Sequence, residues 1–227
     1  MDFDGSLSPI VERPEDARAL PEAVTQLGRL AAGLGLVGIV SGRPVEFLAR
    51  HVPVAGVTYA GLYGIERCTD GVRSVDPRVE PYLDAVAAAT SDARERLPGE
   101  LVEPKAGVSV TLHWRPSPER AGAVTTVAEE LARRHGLALL RTRMAVELRP
   151  PIGVDKGDAT RALVEGFEVG AFAALTAAVD AGALGEAVRI GVHSPEAPPE
   201  LVTCVDVLVD GPAGLAALFA RVADEIA

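Results

Sequence analysis

The chain has 227 residues, with 22 Lys and Arg against 32 Asp and Glu, a formal net charge of −10 at pH 7. Such an acidic chain repels phosphate backbones, so no nucleic-acid partner is expected, and a hydrophobic share of 48% supports a buried core and argues against disorder. No apolar run approaches the ~20 residues of a membrane helix, and acids rather than a basic stretch open the chain, so neither a membrane partner nor a signal peptide is expected and the chain reads as a soluble, cytoplasmic monomer.

In chain order, residues 21–32 place Val24, Leu27, Leu30 and Ala31 on one helical face, with Pro21 as a first helical residue. GLGLVGIVSGR is an apolar run that reads as a buried parallel strand delivering Ser41, Gly42 and Arg43 at its C-terminal end. PVEFLARHV reads as a further helix with Pro first, and VTYAGLYG as a second strand leading into a glycine-rich turn. This alternation predicts a doubly wound, Rossmann-like parallel α/β sheet that binds ligands at the carboxyl ends of its strands. Near residue 76 the pattern changes. Residues 78–96 predict a long amphipathic helix, 107–114 an antiparallel strand, 117–135 another helix, and LALLRTRMAVELRP two strands or a hairpin. From Pro150 the α/β pattern returns. The expected architecture is therefore an α/β core of residues 1–75 and 150–227 with an α+β domain, 76–149, inserted into it. Cys68 and Cys204 lack metal-like spacing and read as two buried thiols of a reducing compartment.

Three motifs carry chemistry. Asp2-Phe3-Asp4-Gly5 sets two carboxylates on one side of a strand end. One suits attack on phosphorus and the other proton transfer to the leaving oxygen and from water, and together they attract Mg²⁺, a hard cation that prefers oxygen. Ser41-Gly42-Arg43, at a strand-to-helix junction, offers a hydroxyl and backbone N–H groups to a phosphate oxygen. Lys156, in Asp155-Lys156-Gly157 at a helix start, suits neutralisation of the phosphate and the attacking carboxylate. In the insert, Lys105, Ser109, His113 and Arg115 have one parity along a strand, so the sequence predicts one polar stripe. Glu147, on a neighbouring strand, suits sugar hydroxyls. Trp114 falls on the opposite face, in the expected core of the insert.

The order of the three motifs matches the haloacid dehalogenase superfamily. The string DFDGSLSPIVERPEDARALP resembles the start of trehalose-6-phosphate phosphatases, as do SGRP, GLYGIE (61–66) and VDGPAG (209–214). The resemblance implies a phosphatase that hydrolyses trehalose 6-phosphate through an aspartyl phosphate, in trehalose biosynthesis. It implies Asp2 as nucleophile and Asp4 as general acid and base. Ser41, Gly42 and Lys156 would hold the phosphate, Asp2 and Asp4 the magnesium, and the insert would be a cap contacting the sugar through Lys105, Ser109, His113, Arg115 and Glu147. Two alternatives stand beside this reading: a sugar-phosphate-binding module without turnover, and a phosphatase of another sugar phosphate.

The sequence departs from the family in two places. Only Met1 stands before Asp2 where the family has an apolar strand. Its Gly-Asp-Asp magnesium motif is absent where residues 157–166 run through Phe167–Gly170 into AFAALTAAVDAGAL, a helical stretch whose nearest acid is Asp180. The pair of departures favours a clipped sequence over a degenerate member with weakened metal binding.

Overall fold

The structure, a computed structural model, describes residues 1–163, 188–195 and 205–226. Cys204, Asp180 and the position of the absent Gly-Asp-Asp motif lie outside the described residues. The chain forms two compact units, Met1–Ser74 with Val154–Ala227 (the core unit) and Val75–Gly153 (the inserted unit).

The core unit opens on α1 (Pro21–Gly33), whose first residue is the proline. Ala23, Leu27 and Leu30 are its buried positions, while Val24 and Ala31 pack partly buried against the same cluster. β1 (Val37–Val40) pairs in parallel with β2 (Val57–Gly61), a fully buried strand. Met1 takes the place of a strand residue beside β1: its N–H donates to the Gly38 carbonyl and its own carbonyl accepts from Val40. Between β1 and β2 runs α2 (Val45–His51), with Pro44 as its N-cap rather than its first residue.

The sheet is mixed where the sequence predicts it parallel. β3 (Glu66–Thr69) runs antiparallel to β2, and β4 (Val72–Val75) extends the order to β1-β2-β3-β4. The cause is Asp70-Gly71, both at positive φ (51° and 79°), the dipeptide that closes a tight hairpin. α5 (Lys156–Leu163) begins the second segment. β9 (Ile190–His193) and β10 (Val207–Asp210) form a parallel pair, and α6 (Gly211–Glu225) follows β10 directly. The core is built from small and aliphatic side chains, with Phe3, Leu27, Ile39, Leu48 and Phe219 among its buried members.

The inserted unit is an α+β sandwich. A short 3-10 stretch, Pro77–Tyr82, precedes α3 (Leu83–Arg96), so the helix predicted over 78–96 starts late, after Pro81. β5 (Val102–Lys105), β6 (Ser109–His113), α4 (Ala121–His135), β7 (Ala138–Thr142) and β8 (Ala145–Arg149) follow. The sheet is antiparallel, in the order β5-β6-β8-β7. Val102, Val110, Leu112, Val146 and Leu148 cluster with Val86, Ala89, Val124 and Leu131 from α3 and α4, and Trp114 packs against this cluster. Strand alternation then sends the intervening polar residues to the opposite sheet face.

Candidate active site

At the carboxyl end of β1, backbone geometry brings the first two motifs together. The Ser41 N–H donates to the Ala60 carbonyl, continuing the β1–β2 ladder by one residue, and the Arg43 N–H donates to the Ser41 hydroxyl at 3.2 Å. Asp2 leaves the edge of β1 beside them. Its Oδ1 accepts from the Phe3 N–H (2.7 Å) and its Oδ2 from the Lys156 ammonium (2.5 Å). The first helical residue of α5 thus reaches the first aspartate across 154 positions of sequence. The Asp155 N–H donates to the Asp158 carboxylate (3.1 Å) and the Asp158 N–H to the Asp155 carboxylate (2.8 Å), a capping box built from two aspartates that fixes the start of α5.

Asp4 is gripped by a residue to which the sequence reading gives no separate role. Arg43 donates from Nε to Oδ2 (3.0 Å) and from Nη2 to Oδ1 (2.7 Å), a bidentate fork. Its Nη1 donates to the Pro14 carbonyl (2.8 Å), and its guanidinium lies 4.7 Å from the centre of the Phe47 ring. Nothing local in the sequence points to a contact spanning 39 residues. The available signal is the arginine's place at the end of the same apolar strand. Gly42 has no room for a side chain: a Cβ there would stand 2.7 Å from the Tyr63 ring. All five residues expected to meet the phosphate or attack it (Asp2, Asp4, Ser41, Gly42 and Lys156) therefore lie within this single region of the core unit.

The donor set suits magnesium in kind. Asp2 and Asp4 supply oxygen only, and a hydrated Mg²⁺ needs one or two carboxylates with waters and substrate phosphate filling the rest. It does not make a dehydrated cage, since among the described residues no group of three or more His, Cys, Asp or Glu side chains could hold a metal ion.

In the inserted unit the polar stripe forms, by a route other than the predicted one. Lys105 and Ser109 do not lie along one strand. Ala106 and Gly107, at φ 51° and 76°, turn the chain, and the two residues become cross-strand partners of β5 and β6. Partners directly opposite share a face, so Lys105, Ser109 and His113 stay on one side, now joined by Glu103, Thr111 and Glu147. Arg115 lies past the end of β6. The Lys105 ammonium (3.2 Å) and the Thr111 hydroxyl (3.3 Å) both donate to Glu147 Oε2, and His113 Nε2 is 2.6 Å from a Glu103 carboxylate oxygen. Lys105, Ser109, Thr111 and Glu147 are all buried, Glu147 to 1% exposure. Yet Glu147 Oε1 and the Ser109 hydroxyl have no hydrogen-bond partner among the described residues. A buried polar atom left unpaired costs about 1–3 kcal/mol, a cost that these two oxygens carry within the sheet face.

The fold is that of haloacid-dehalogenase-like hydrolases. It is similar to a haloacid dehalogenase-like hydrolase from Bacteroides thetaiotaomicron (16% identity, TM-score 0.65, covering 97% of each chain). It is also similar to a trehalose-6-phosphate phosphatase related protein (22% identity, TM-score 0.78, 99% of this chain and 96% of that one). Residues 1–177 match the trehalose-phosphatase family, and the chain belongs to it. The trehalose-phosphate phosphatase of Mycobacterium marinum is 35% identical over 169 residues, 72% of this chain and 43% of that protein. That of Mycobacterium tuberculosis is 34% identical over 161 residues, 69% of this chain and 41% of that protein. The chain thus spans less than half the length of the curated relatives it matches. No helix among the described residues is long and apolar enough to cross a membrane.

Proposed function

We propose that this protein hydrolyses trehalose 6-phosphate to trehalose and phosphate, a step of trehalose biosynthesis. The observation that carries the proposal is the pairing of Asp2 with Lys156 and of Asp4 with Arg43 at one strand end, within a chain of the trehalose-phosphatase family. Asp2 attacks phosphorus; an aspartyl-phosphate bond forms as the bond from phosphorus to the sugar oxygen breaks. Lys156 neutralises the charge gathering between nucleophile and phosphate, and Ser41 with the Gly42 backbone holds phosphoryl oxygens. Asp4 gives a proton to the departing sugar oxygen and then takes one from the water that cleaves the aspartyl phosphate. Arg43 occupies both Asp4 oxygens, so one must leave the fork for either transfer. Asp2 and Asp4 would hold a hydrated Mg²⁺, which supplies further neutralisation of phosphate charge when bound.

The polar face of the inserted unit is proposed to recognise the sugar, through Lys105, Ser109, His113 and Glu147 on that face and Arg115 at its border. A cytoplasmic monomer is the accompanying expectation, its location supported by Cys68, a buried thiol of the kind that a reducing compartment keeps unpaired. Phosphate release from trehalose 6-phosphate in magnesium buffer, measured against sucrose and glucosylglycerol phosphates and a small aryl phosphate, tests the reading. Trehalose 6-phosphate is expected to be the preferred substrate. Equal rates on all the sugar phosphates would refute the specificity, and no release from any of them would leave a binding module.

A further inference from the structure

Within the segment Gly61–Glu66, residues 61–63 pack directly on the Ser41–Arg43 turn. The Tyr63 N–H donates to the Ser41 carbonyl (2.9 Å), and the Leu62 N–H donates to the Arg43 carbonyl (3.0 Å). Gly61 approaches so closely that a Cβ on it would stand 2.6 Å from the Val45 nitrogen and 2.7 Å from the Arg43 carbonyl oxygen. To make these contacts Leu62 and Tyr63 both adopt left-handed backbone, φ 50° and 60°. That conformation is costly for residues with side chains and persists only where surroundings enforce it. The two N–H bonds to the turn hold that conformation, and Glu66 closes the same segment. Its side chain is wholly buried; Oε2 accepts the Val45 N–H at 2.9 Å and Oε1 is ion-paired with Arg73. Val45 is the first residue of α2 and stands two positions after Arg43, so Glu66 ties the start of the helix to the β3 strand across the turn.

We infer that Glu66 is the positioning residue of the phosphate-binding turn: by accepting the Val45 N–H it fixes where Ser41 and Gly42 meet a phosphoryl oxygen and where Arg43 holds Asp4. The inference rests on the phosphatase reading for what the turn binds. Arg73, on the exposed hairpin, balances the buried carboxyl group and has no contact with the turn among the contacts described. The two ends of one ion pair therefore have separable roles. Losing the arginine should cost stability alone, whereas losing the acceptor should release the turn.

The test is inorganic phosphate binding by calorimetry, with amide exchange read at Val45, Leu62 and Tyr63, on folded wild type, Glu66→Leu, Glu66→Gln and Arg73→Ala. Glu66→Leu is expected to weaken phosphate binding about tenfold or more, the loss of one hydrogen bond plus realignment of the turn, and to speed exchange at all three amides. Glu66→Gln, which keeps an acceptor for Val45, should stay within a few-fold of wild type, and Arg73→Ala should lower only the melting temperature. Where Glu66→Leu does not fold, Glu66→Thr, too short to reach Val45, stands in with the same expectation. Phosphate affinity unchanged in a folded Glu66→Leu or Glu66→Thr protein overturns the inference. So does an equal loss in Glu66→Gln, which would assign the effect to charge. Wild type that binds phosphate but releases none from trehalose 6-phosphate refutes the phosphatase reading and leaves Glu66 in its role; wild type that binds no phosphate overturns both.

Discussion

In the core unit each charged group of the candidate site stands beside an opposite charge, and three of the four stand partly in solvent: the side chains of Asp2, Asp4 and Lys156 are 36%, 34% and 43% exposed, that of Arg43 only 13%. In the inserted unit Lys105 and Glu147 are paired too, but almost wholly buried, and one buried Glu147 oxygen has no hydrogen-bond partner among the described residues. Exposed pairs exchange partners cheaply, because solvent screens them and the net stability of each is small. Buried ones do not. The contrast matches the two tasks proposed. A site that must let a phosphate displace Lys156 from Asp2 is better built from a pair that parts easily. A site that must distinguish one sugar from another is better built from groups that burial holds in one arrangement.

The sharpest way to break that comparison is to remove the nucleophile. Asp2→Asn keeps shape and loses the attacking charge, so phosphate release should fall on the order of 10³-fold or more, equally for trehalose 6-phosphate and a small aryl phosphate. A variant retaining its full rate in a phosphate-release assay would remove Asp2 from the chemistry.

Changes in the inserted unit should separate the two substrates. His113→Ala and Glu147→Gln are each expected to lose a few-fold to about a hundredfold in kcat/KM for trehalose 6-phosphate, the range for one neutral or charged hydrogen bond. The aryl phosphate should be hydrolysed as before, because neither residue lies in the region that holds the phosphate-directed side chains. Steady-state kinetics on both substrates decides. Equal losses would mean that these side chains support the fold rather than the sugar.

Arg43→Lys is a milder probe of the core unit. Lysine keeps the charge but cannot form the fork on Asp4 or reach the Pro14 carbonyl at the same time. We expect about a tenfold loss of kcat with KM for either substrate changed less, since proton transfer rather than binding depends on where Asp4 stands. A rise in KM with kcat intact would place Arg43 on the substrate instead.

What the sequence discloses follows from how local each signal is. Ser41 and Lys156 are legible because an apolar strand and a helix start announce themselves over a few residues, and Asp2 and Asp4 because two carboxylates two residues apart before a glycine form a compact motif of their own. The β3–β4 hairpin is overlooked although Asp70-Gly71 marks it, because the eye follows the parallel alternation around it. Lys105 is assigned to the wrong strand because the turn at Ala106–Gly107 keeps the polar parity unbroken across it; the face is right and the path is not. The grip of Arg43 on Asp4 and of Glu66 on Val45 depends on tertiary approach, and neither spacing nor composition encodes that. GLYGIE shows as a family string without showing that its glutamate is buried against a helix start.

The smallest effect expected is one of pH. Arg189 and Asp206 immediately precede the paired strands β9 and β10. They are joined by three hydrogen bonds onto the Asp206 carboxylate, from the Arg189 N–H (2.8 Å), Nε (2.9 Å) and Nη2 (2.7 Å). The guanidinium, then the backbone N–H, lowers the pKa of Asp206 from the ordinary 3.8 to about 2. Because the folded value is depressed, the unfolded chain binds the proton first as pH falls. The contribution to stability is therefore complete above about pH 4 and lost progressively down to about pH 2. Both side chains are substantially exposed, so the gain is that of a screened surface pair, with the register of β9 on β10 as its structural consequence. Arg189→Ala should melt slightly below wild type at neutral pH, and the gap should close as melts are repeated toward pH 2. Asp92 and Glu130 of the inserted unit, also held below their ordinary values by their cationic partners, lose stability in the same direction. Only the difference between wild type and variant isolates Asp206. A gap that stays constant through the acid range would show that Arg189 holds this strand pair by packing rather than by charge.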